Sequence, residues 1–207
     1  HALYQALVKH DYAAFAASQL DERRRASLPP FSSLALVRSE ARDAAVATAA
    51  ALAVIYPHMT GMGGDAFWLI HDAASSAVRY LDGGGRAAAS GRIDAFVKRG
   101  LTEVPFRGIL PATLTTPGSV ASWGEAHAAY GRLPLARCLQ SAIEYARDGF
   151  PVTERLAGWI EYARADLAAH PDSAAIFLPG GEVPRAGSLL RNPDLARTLE
   201  AVAAAGP

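Results

Sequence analysis

Arg86 follows three consecutive glycines, Gly83-Gly84-Gly85, at the end of an apolar run that finishes in Leu81-Asp82. A guanidinium carried on so bare a turn can fork onto a carboxylate through two parallel N–H donors. It can equally form a surface ion pair, and the residue type alone does not choose between the two. A second glycine cluster, Thr60-Gly61-Met62-Gly63-Gly64-Asp65, stands just ahead of Ala66-Phe67-Trp68-Leu69-Ile70. Successive glycines permit positive φ and let a ligand or another strand approach backbone N–H groups. They also make ordinary tight turns around a hairpin.

The other reactive residue types have simpler roles. Thr115-Thr116 precede Pro117-Gly118, where a loop entering a helix calls for a capping hydroxyl. Cys138 lies at helical spacing among Leu135, Leu139 and Ile143 and reads as a core thiol. His58, beside Pro57 at a helix end, is placed to meet the last carbonyls of that helix. His71 and Asp72 close a strand and are expected at the surface, and Trp68, Trp123 and Trp159 sit on apolar faces. The sequence has no Gly-x-x-x-x-Gly-Lys, His-Glu-x-x-His or Gly-x-Ser-x-Gly, and its six histidines are scattered, so neither metal nor nucleotide chemistry is indicated and no cofactor is expected.

Composition narrows the classes further. The 207 residues are 51% hydrophobic and 19% charged, with 20 Lys+Arg against 20 Asp+Glu. That is enough apolar matter for a sizeable core, and a zero net charge offers nucleic acid no overall attraction. One cysteine excludes an intramolecular disulfide framework and a Cys-x-x-Cys site. The most apolar stretch, from Ala44 to Tyr56, suits a buried helix and is too short to span a bilayer, so no membrane partner is expected. The chain begins at His1, with no signal region, and stops just after a helical run, so both ends read as cut.

Several elements must position these residues. A helix reads from Asp11 to the charge run Asp21-Glu22-Arg23-Arg24-Arg25, then a break at Leu28-Pro29-Pro30-Phe31, a short strand from Leu34 to Arg38, and a helix capped by Ser39 that Pro57 ends. A buried strand over Ala66 to Ile70 and a second over Ala77 to Leu81 form a hairpin that empties into the Asp82 to Arg86 turn. The remainder is mostly helical, over Ala95 to Arg99, Gly118 to Tyr130, Pro134 to Asp148, Val152 to Leu167 and Asp194 to Ala205. Phe106 to Thr116 reads as a loop crossing the hairpin's edge.

From Asp43-Ala44-Ala45-Val46-Ala47-Thr48-Ala49 onward the chain resembles the γ-glutamyltranspeptidase family. The stretches that carry the resemblance are Tyr56-Pro57-His58-Met59-Thr60-Gly61-Met62-Gly63-Gly64-Asp65-Ala66-Phe67, Leu81-Asp82-Gly83, Thr116-Pro117-Gly118-Ser119-Val120 and Tyr130-Gly131-Arg132-Leu133-Pro134. Ala146-Arg147-Asp148-Gly149-Phe150-Pro151-Val152 and Leu189-Leu190-Arg191-Asn192-Pro193-Asp194-Leu195-Ala196 follow. The resemblance implies an α+β chain, part of the αββα sandwich of an N-terminal nucleophile hydrolase. It implies a precursor that cleaves itself into a large and a small subunit, with this chain at the front of the large one. The nucleophile would be a threonine heading the small subunit, its own α-amino group the base, so no catalytic residue is expected among these 207 and the fragment alone should be inactive.

What the resemblance leaves to this chain is substrate recognition, at Asp82, Gly83, Gly84, Gly85 and Arg86. Many members carry an arginine directly after Leu-Asp-Gly, forking onto the α-carboxylate of the γ-glutamyl group. Gly84 stands there in this sequence, and the nearest arginine is Arg86. Either Arg86 takes over the carboxylate or the donor is a different amide, as in an acylase-like amidohydrolase. The expected partners are the small subunit of the same precursor and a small γ-glutamyl substrate such as a glutathione-type amide. Members of the family are often periplasmic or secreted.

Residues 1 to 40 resemble something else, the late region of PriA-type primosomal helicases, through His10-Asp11-Tyr12, Glu22-Arg23-Arg24, Leu28-Pro29-Pro30-Phe31 and Val37-Arg38-Ser39-Glu40. This implies a division into a foreign or misjoined segment, 1–40, and a transpeptidase-like part, 41–207. Two rival readings follow, a nucleic-acid-binding fragment of a replication-restart helicase and a purely structural fragment.

Overall fold

Pro57 has no N–H to offer a preceding carbonyl, and the first helix, α1 (Arg42–Ile55), ends just ahead of it. The computed structural model describes residues 42–72, 75–89, 91–103 and 114–207. The helix, turn and strand expected over residues 11–38, the Ser39 cap and most of the 106–116 loop lie outside them. α1 buries Val46, Ala50, Ala53 and Val54, a stripe at helical spacing. Its small side chains allow close approach to α4 (Leu135–Asp148), which packs against α1 on one side and against α8 (Pro193–Ala205) on the other.

α4 is the centre of the core. Leu139, Ala142 and Ala146 are fully buried, Cys138 lies beside them as the expected core thiol, and Leu199 of α8 closes the far side. The outer face of α4 is polar, with Arg137 bonded to Gln140 and Gln140 Nε2 to Glu144 Oε1 at 2.9 Å. Its carboxyl end is closed by chain returning from far away. Gly149 adopts φ +104°, Arg191 Nε donates to the Asp148 carbonyl at 2.9 Å, and the Asn192 N–H donates to the Ala146 carbonyl at 2.8 Å. Asn192 then caps α8 in turn, its Oδ1 accepting from the Leu195 N–H at 3.0 Å, with Pro193 at the first helical position.

The hairpin forms as expected. β1 (Ala66–Asp72) and β2 (Ala77–Gly83) pair antiparallel in the register Ala66 to Gly83 through Asp72 to Ala77. Its inner side presents Trp68 and Leu81 to the core cluster and rests on α3 (Ser119–Tyr130), which also touches α1. Its outer side is open: Phe67, Leu69, Val78 and Tyr80 are 62–77% exposed. The expected buried strand is therefore an alternating one, covered on a single face.

Two further expectations need correction, and two elements were not anticipated. The helix read as continuous over Val152 to Leu167 breaks at Ala163 into α5 (Glu154–Tyr162) and α6 (Arg164–Ala168). The helix read over Ala95 to Arg99 starts earlier, as α2 (Ile93–Val97), and a further helix, α7 (Pro171–Phe177), follows α6 and leads into the 3-10 turn Pro179–Gly181. A second small sheet, β3 (Phe150–Pro151) against β4 (Leu189–Leu190), joins the ends of α4 and α8. Strands of two residues show no periodicity of their own. Among the described residues no helix is long and apolar enough to cross a membrane.

Candidate functional site

Three stretches of chain converge at the end of the hairpin: Gly64-Asp65 before β1, Gly83-Gly84-Gly85-Arg86 from the last residue of β2 onward, and Thr115 to Ser119 leading into α3. Backbone bonds tie them together. The Gly118 and Ser119 N–H groups donate to the Gly64 carbonyl at 3.1 and 3.0 Å, and the Thr116 N–H donates to the Arg86 carbonyl at 2.9 Å. Ala87 and Thr115 form an antiparallel bridge, so the described end of the loop does run beside the chain leaving the hairpin. Two carboxylates complete the clasp, Asp82 Oδ1 accepting from the Gly84 N–H and Asp65 Oδ1 from the Gly85 N–H, each at 2.8 Å.

Gly83, Gly85 and Gly118 are required here by contact and not by dihedral angle. None of Gly61, Gly63, Gly64, Gly83, Gly84 or Gly85 is among the positive-φ residues. A Cβ on Gly85 would be driven into the Thr116 carbonyl, and one on Gly118 into the Gly83 carbonyl. Gly83, buried, would meet the Ala66 carbonyl and Ser122. The approaching strand anticipated for these glycines is thus a segment of the chain itself, and the N–H groups of Gly84 and Gly85 are already engaged by carboxylates.

Arg86 emerges from this clasp exposed, and its guanidinium makes no hydrogen bond or ion pair with a described residue. Of the two local readings of its side chain, the surface ion pair is not made with any described residue. Asp82 is exposed beside it, and Gly84, the position that follows Leu81-Asp82-Gly83, is open to solvent.

Thr115 and Thr116 do not cap α3. Its N-cap is Gly118, with no side-chain bond, and the first-turn donors go to the Gly64 carbonyl instead. A carbonyl brought by tertiary packing does what a hydroxyl would otherwise do. Ser122 in that helix carries a second long-range tie. Its Oγ accepts from Trp68 Nε1 at 2.9 Å and donates to the Ser119 carbonyl at 2.6 Å.

His58 also departs from expectation. Neither ring nitrogen reaches a carbonyl, and both are buried without a hydrogen-bond partner. The ring lies between Tyr56, at 4.1 Å between centroids, and Trp159 of α5, at 6.2 Å and nearly parallel. Burial, and then the charge of Arg155, hold its pKa below the ordinary 6.5. His71 is exposed as expected, whereas Asp72 is half-buried and accepts from Ser75 Oγ at 2.9 Å. No group of three or more potential metal ligands occurs among the described residues.

Asp65 and Ser122 are the residues that the sequence did not single out. Asp65 could be noticed only as an acidic residue closing a glycine run, and Ser122 carries no local signal.

The helix-rich α+β fold is that of solved members of the N-terminal nucleophile hydrolase class. The chain superposes on the Helicobacter pylori γ-glutamyltranspeptidase with a TM-score of 0.69 at 27% identity, covering 80% of this chain and 48% of that one. On the cephalosporin acylase from Bacillus halodurans the TM-score is 0.73 at 36% identity, covering 80% and 32%. Residues 38–207 match the family model described as gamma-glutamyltranspeptidase, and the chain belongs to that family. In sequence it is 41% identical over 164 residues to the glutathione hydrolase-like YwrD proenzyme of Bacillus subtilis, spanning 79% of this chain and 31% of that protein. It is 41% identical over 182 residues to the oxamate amidohydrolase proenzyme of Klebsiella pneumoniae, spanning 84% and 34%. The chain therefore spans about a third of the length of these curated relatives.

Proposed function

We propose that this chain is the substrate-holding front of the large subunit of a γ-glutamyltranspeptidase-like enzyme, which transfers an acyl group from an amide to water or to an amino acceptor. The nucleophile in this reading is a threonine heading the small subunit of the same precursor. Its α-amino group takes the hydroxyl proton as the oxygen attacks the amide carbon, and the amine leaves with a proton. The acyl-enzyme is then resolved by water or by an acceptor amine. The names of the relatives, three of them proenzymes, support a precursor that is processed.

The observation that carries the reading is Arg86, an exposed guanidinium unpaired among the described residues, on a backbone fastened by carboxylate and carbonyl bonds. Such a group suits a small donor that bears a carboxylate near its scissile amide. The absence of a side chain at Gly84 favours a donor range wider than glutathione. One relative in this range is the acylase ACY 1 proenzyme of Pseudomonas, 36% identical over 178 residues.

The test is Arg86→Ala in the full-length precursor after maturation, assayed with γ-glutamyl 4-nitroanilide and with its α-methyl ester. Loss of an uncompensated carboxylate fork should lower kcat/KM for the free acid by about 2 to 4 kcal/mol in transition-state binding. The ester should be little affected. Equal losses on both donors, or none, would remove Arg86 from the substrate.

A further inference from the structure

We infer that Asp65 is the residue that aims Arg86, a positioning residue set across the clasp from the substrate-binding turn. The inference rests on the reading of Arg86 just given. On one side of Arg86, one residue before it, the Gly85 N–H donates to Asp65 Oδ1 at 2.8 Å. On the other side of the residue, the Arg86 carbonyl accepts from the Thr116 N–H at 2.9 Å, and Ala87 bridges to Thr115. Arg86 is thus pinned before and behind, and among the described residues Asp65 supplies the side-chain pin nearest to it, one residue closer than the bond from the Gly84 N–H to Asp82.

Asp65 is itself well placed to transmit order. Its neighbour Gly64 offers the carbonyl that receives both the Gly118 and the Ser119 N–H groups, so the carboxylate is anchored to the start of α3 through its own backbone. Gly85 has no side chain to restrict it, because the Thr116 carbonyl fills the space where a Cβ would be. A bond from a backbone N–H to a carboxylate is of the strong, charge-assisted kind. Without it the Gly84–Gly85 peptide is free to turn, and Arg86 with it. A fork needs its two donors held in one plane relative to the carboxylate, so loss of aim costs affinity for the carboxylate end of the donor and little else.

The experiment compares Asp65→Ala, Asp65→Asn and Arg86→Ala in the mature enzyme made from the full-length precursor, with γ-glutamyl 4-nitroanilide and its α-methyl ester as donors. Asp65→Ala is expected to raise KM for the free acid by about tenfold, with the effect confined to KM and absent for the ester. Asp65→Asn, which keeps an oxygen acceptor at the same place, is expected to restore KM to within about twofold of the parent. If Asp65→Ala does not mature, Asp65→Glu replaces it, since it keeps the charge but moves the oxygen by a methylene. Equal changes on both donors, or a fall in kcat alone, would show a merely structural Asp65 and overturn the inference. A silent Asp65→Ala beside an impaired Arg86→Ala defeats the inference alone, whereas a silent Arg86→Ala defeats the reading of Arg86 as well.

Discussion

Trp68 Nε1 donates to Ser122 Oγ at 2.9 Å, joining the middle of β1 to the first turn of α3 across 54 residues of chain. The Ser122 hydroxyl in turn donates a hydrogen bond to the Ser119 carbonyl at 2.6 Å. The indole N–H and the hydroxyl are therefore both satisfied in a region from which the buried Ser119 and Ser122 are shut off from water. Ser122→Ala should leave the indole N–H without an acceptor and destabilise the fold by about 1–3 kcal/mol. A double-mutant cycle with Trp68→Phe, read by urea unfolding, should return a coupling energy of about 1 kcal/mol; additive losses would mean that the bond contributes nothing.

The glycines divide sharply in what they tolerate. Gly85→Ala and Gly118→Ala each push a methyl into a backbone carbonyl that cannot swing away, and should cost about 1–3 kcal/mol or more. Gly63→Ala and Gly64→Ala meet nothing within 4 Å and should be neutral or stabilising by about 0.4–1 kcal/mol, through a less flexible unfolded chain. Melting temperatures of the four variants check the ordering.

His58 makes stability depend on pH. Its folded pKa lies below 6.5, so between the two values the unfolded chain binds a proton that the folded one refuses. Stability contributed by the neutral ring is complete above the unfolded pKa and falls as the pH drops towards the folded one. His58→Phe keeps the stack between Tyr56 and Trp159 and removes two unpartnered nitrogens. The variant should match or exceed the parent at about pH 7.5 and lose less of its urea midpoint on going to about pH 5. Parallel pH profiles for the two proteins would show that His58 does not titrate in this range.

Core and surface leucines on the same architecture provide a scale. Leu139 is fully buried between α1 and α8, and Leu139→Ala should cost about 2–5 kcal/mol through lost contacts and a residual cavity. Leu189→Ala, at a position 56% exposed, should cost less than about 0.5 kcal/mol. Denaturant midpoints compared at a constant slope would test the contrast.

Local signals settled much of this chain in advance. Pro57 stops α1, apolar runs over Ala66 to Ile70 and Ala77 to Leu81 give the hairpin, and Cys138 falls on the buried stripe of α4. Each of these depends on neighbours within a turn of helix or along a strand, which a period of 3.6 or 2.0 exposes. The family motifs were equally legible, because they are short and contiguous.

What only the tertiary structure decided are the relationships between distant segments. Thr116 looked like a cap, but α3 is capped by the Gly64 carbonyl, and the glycines of the turn serve close backbone contact instead of a positive φ. His58 turned from carbonyls to an aromatic sandwich because α5 supplies Trp159. Asp65 reaches Gly85 over 20 residues, and Trp68 reaches Ser122 over 54. Such bonds leave no periodic trace along the chain, since their partners become neighbours only after the hairpin and helices have buried their apolar faces together, and it is this packing that sets how Arg86 is presented.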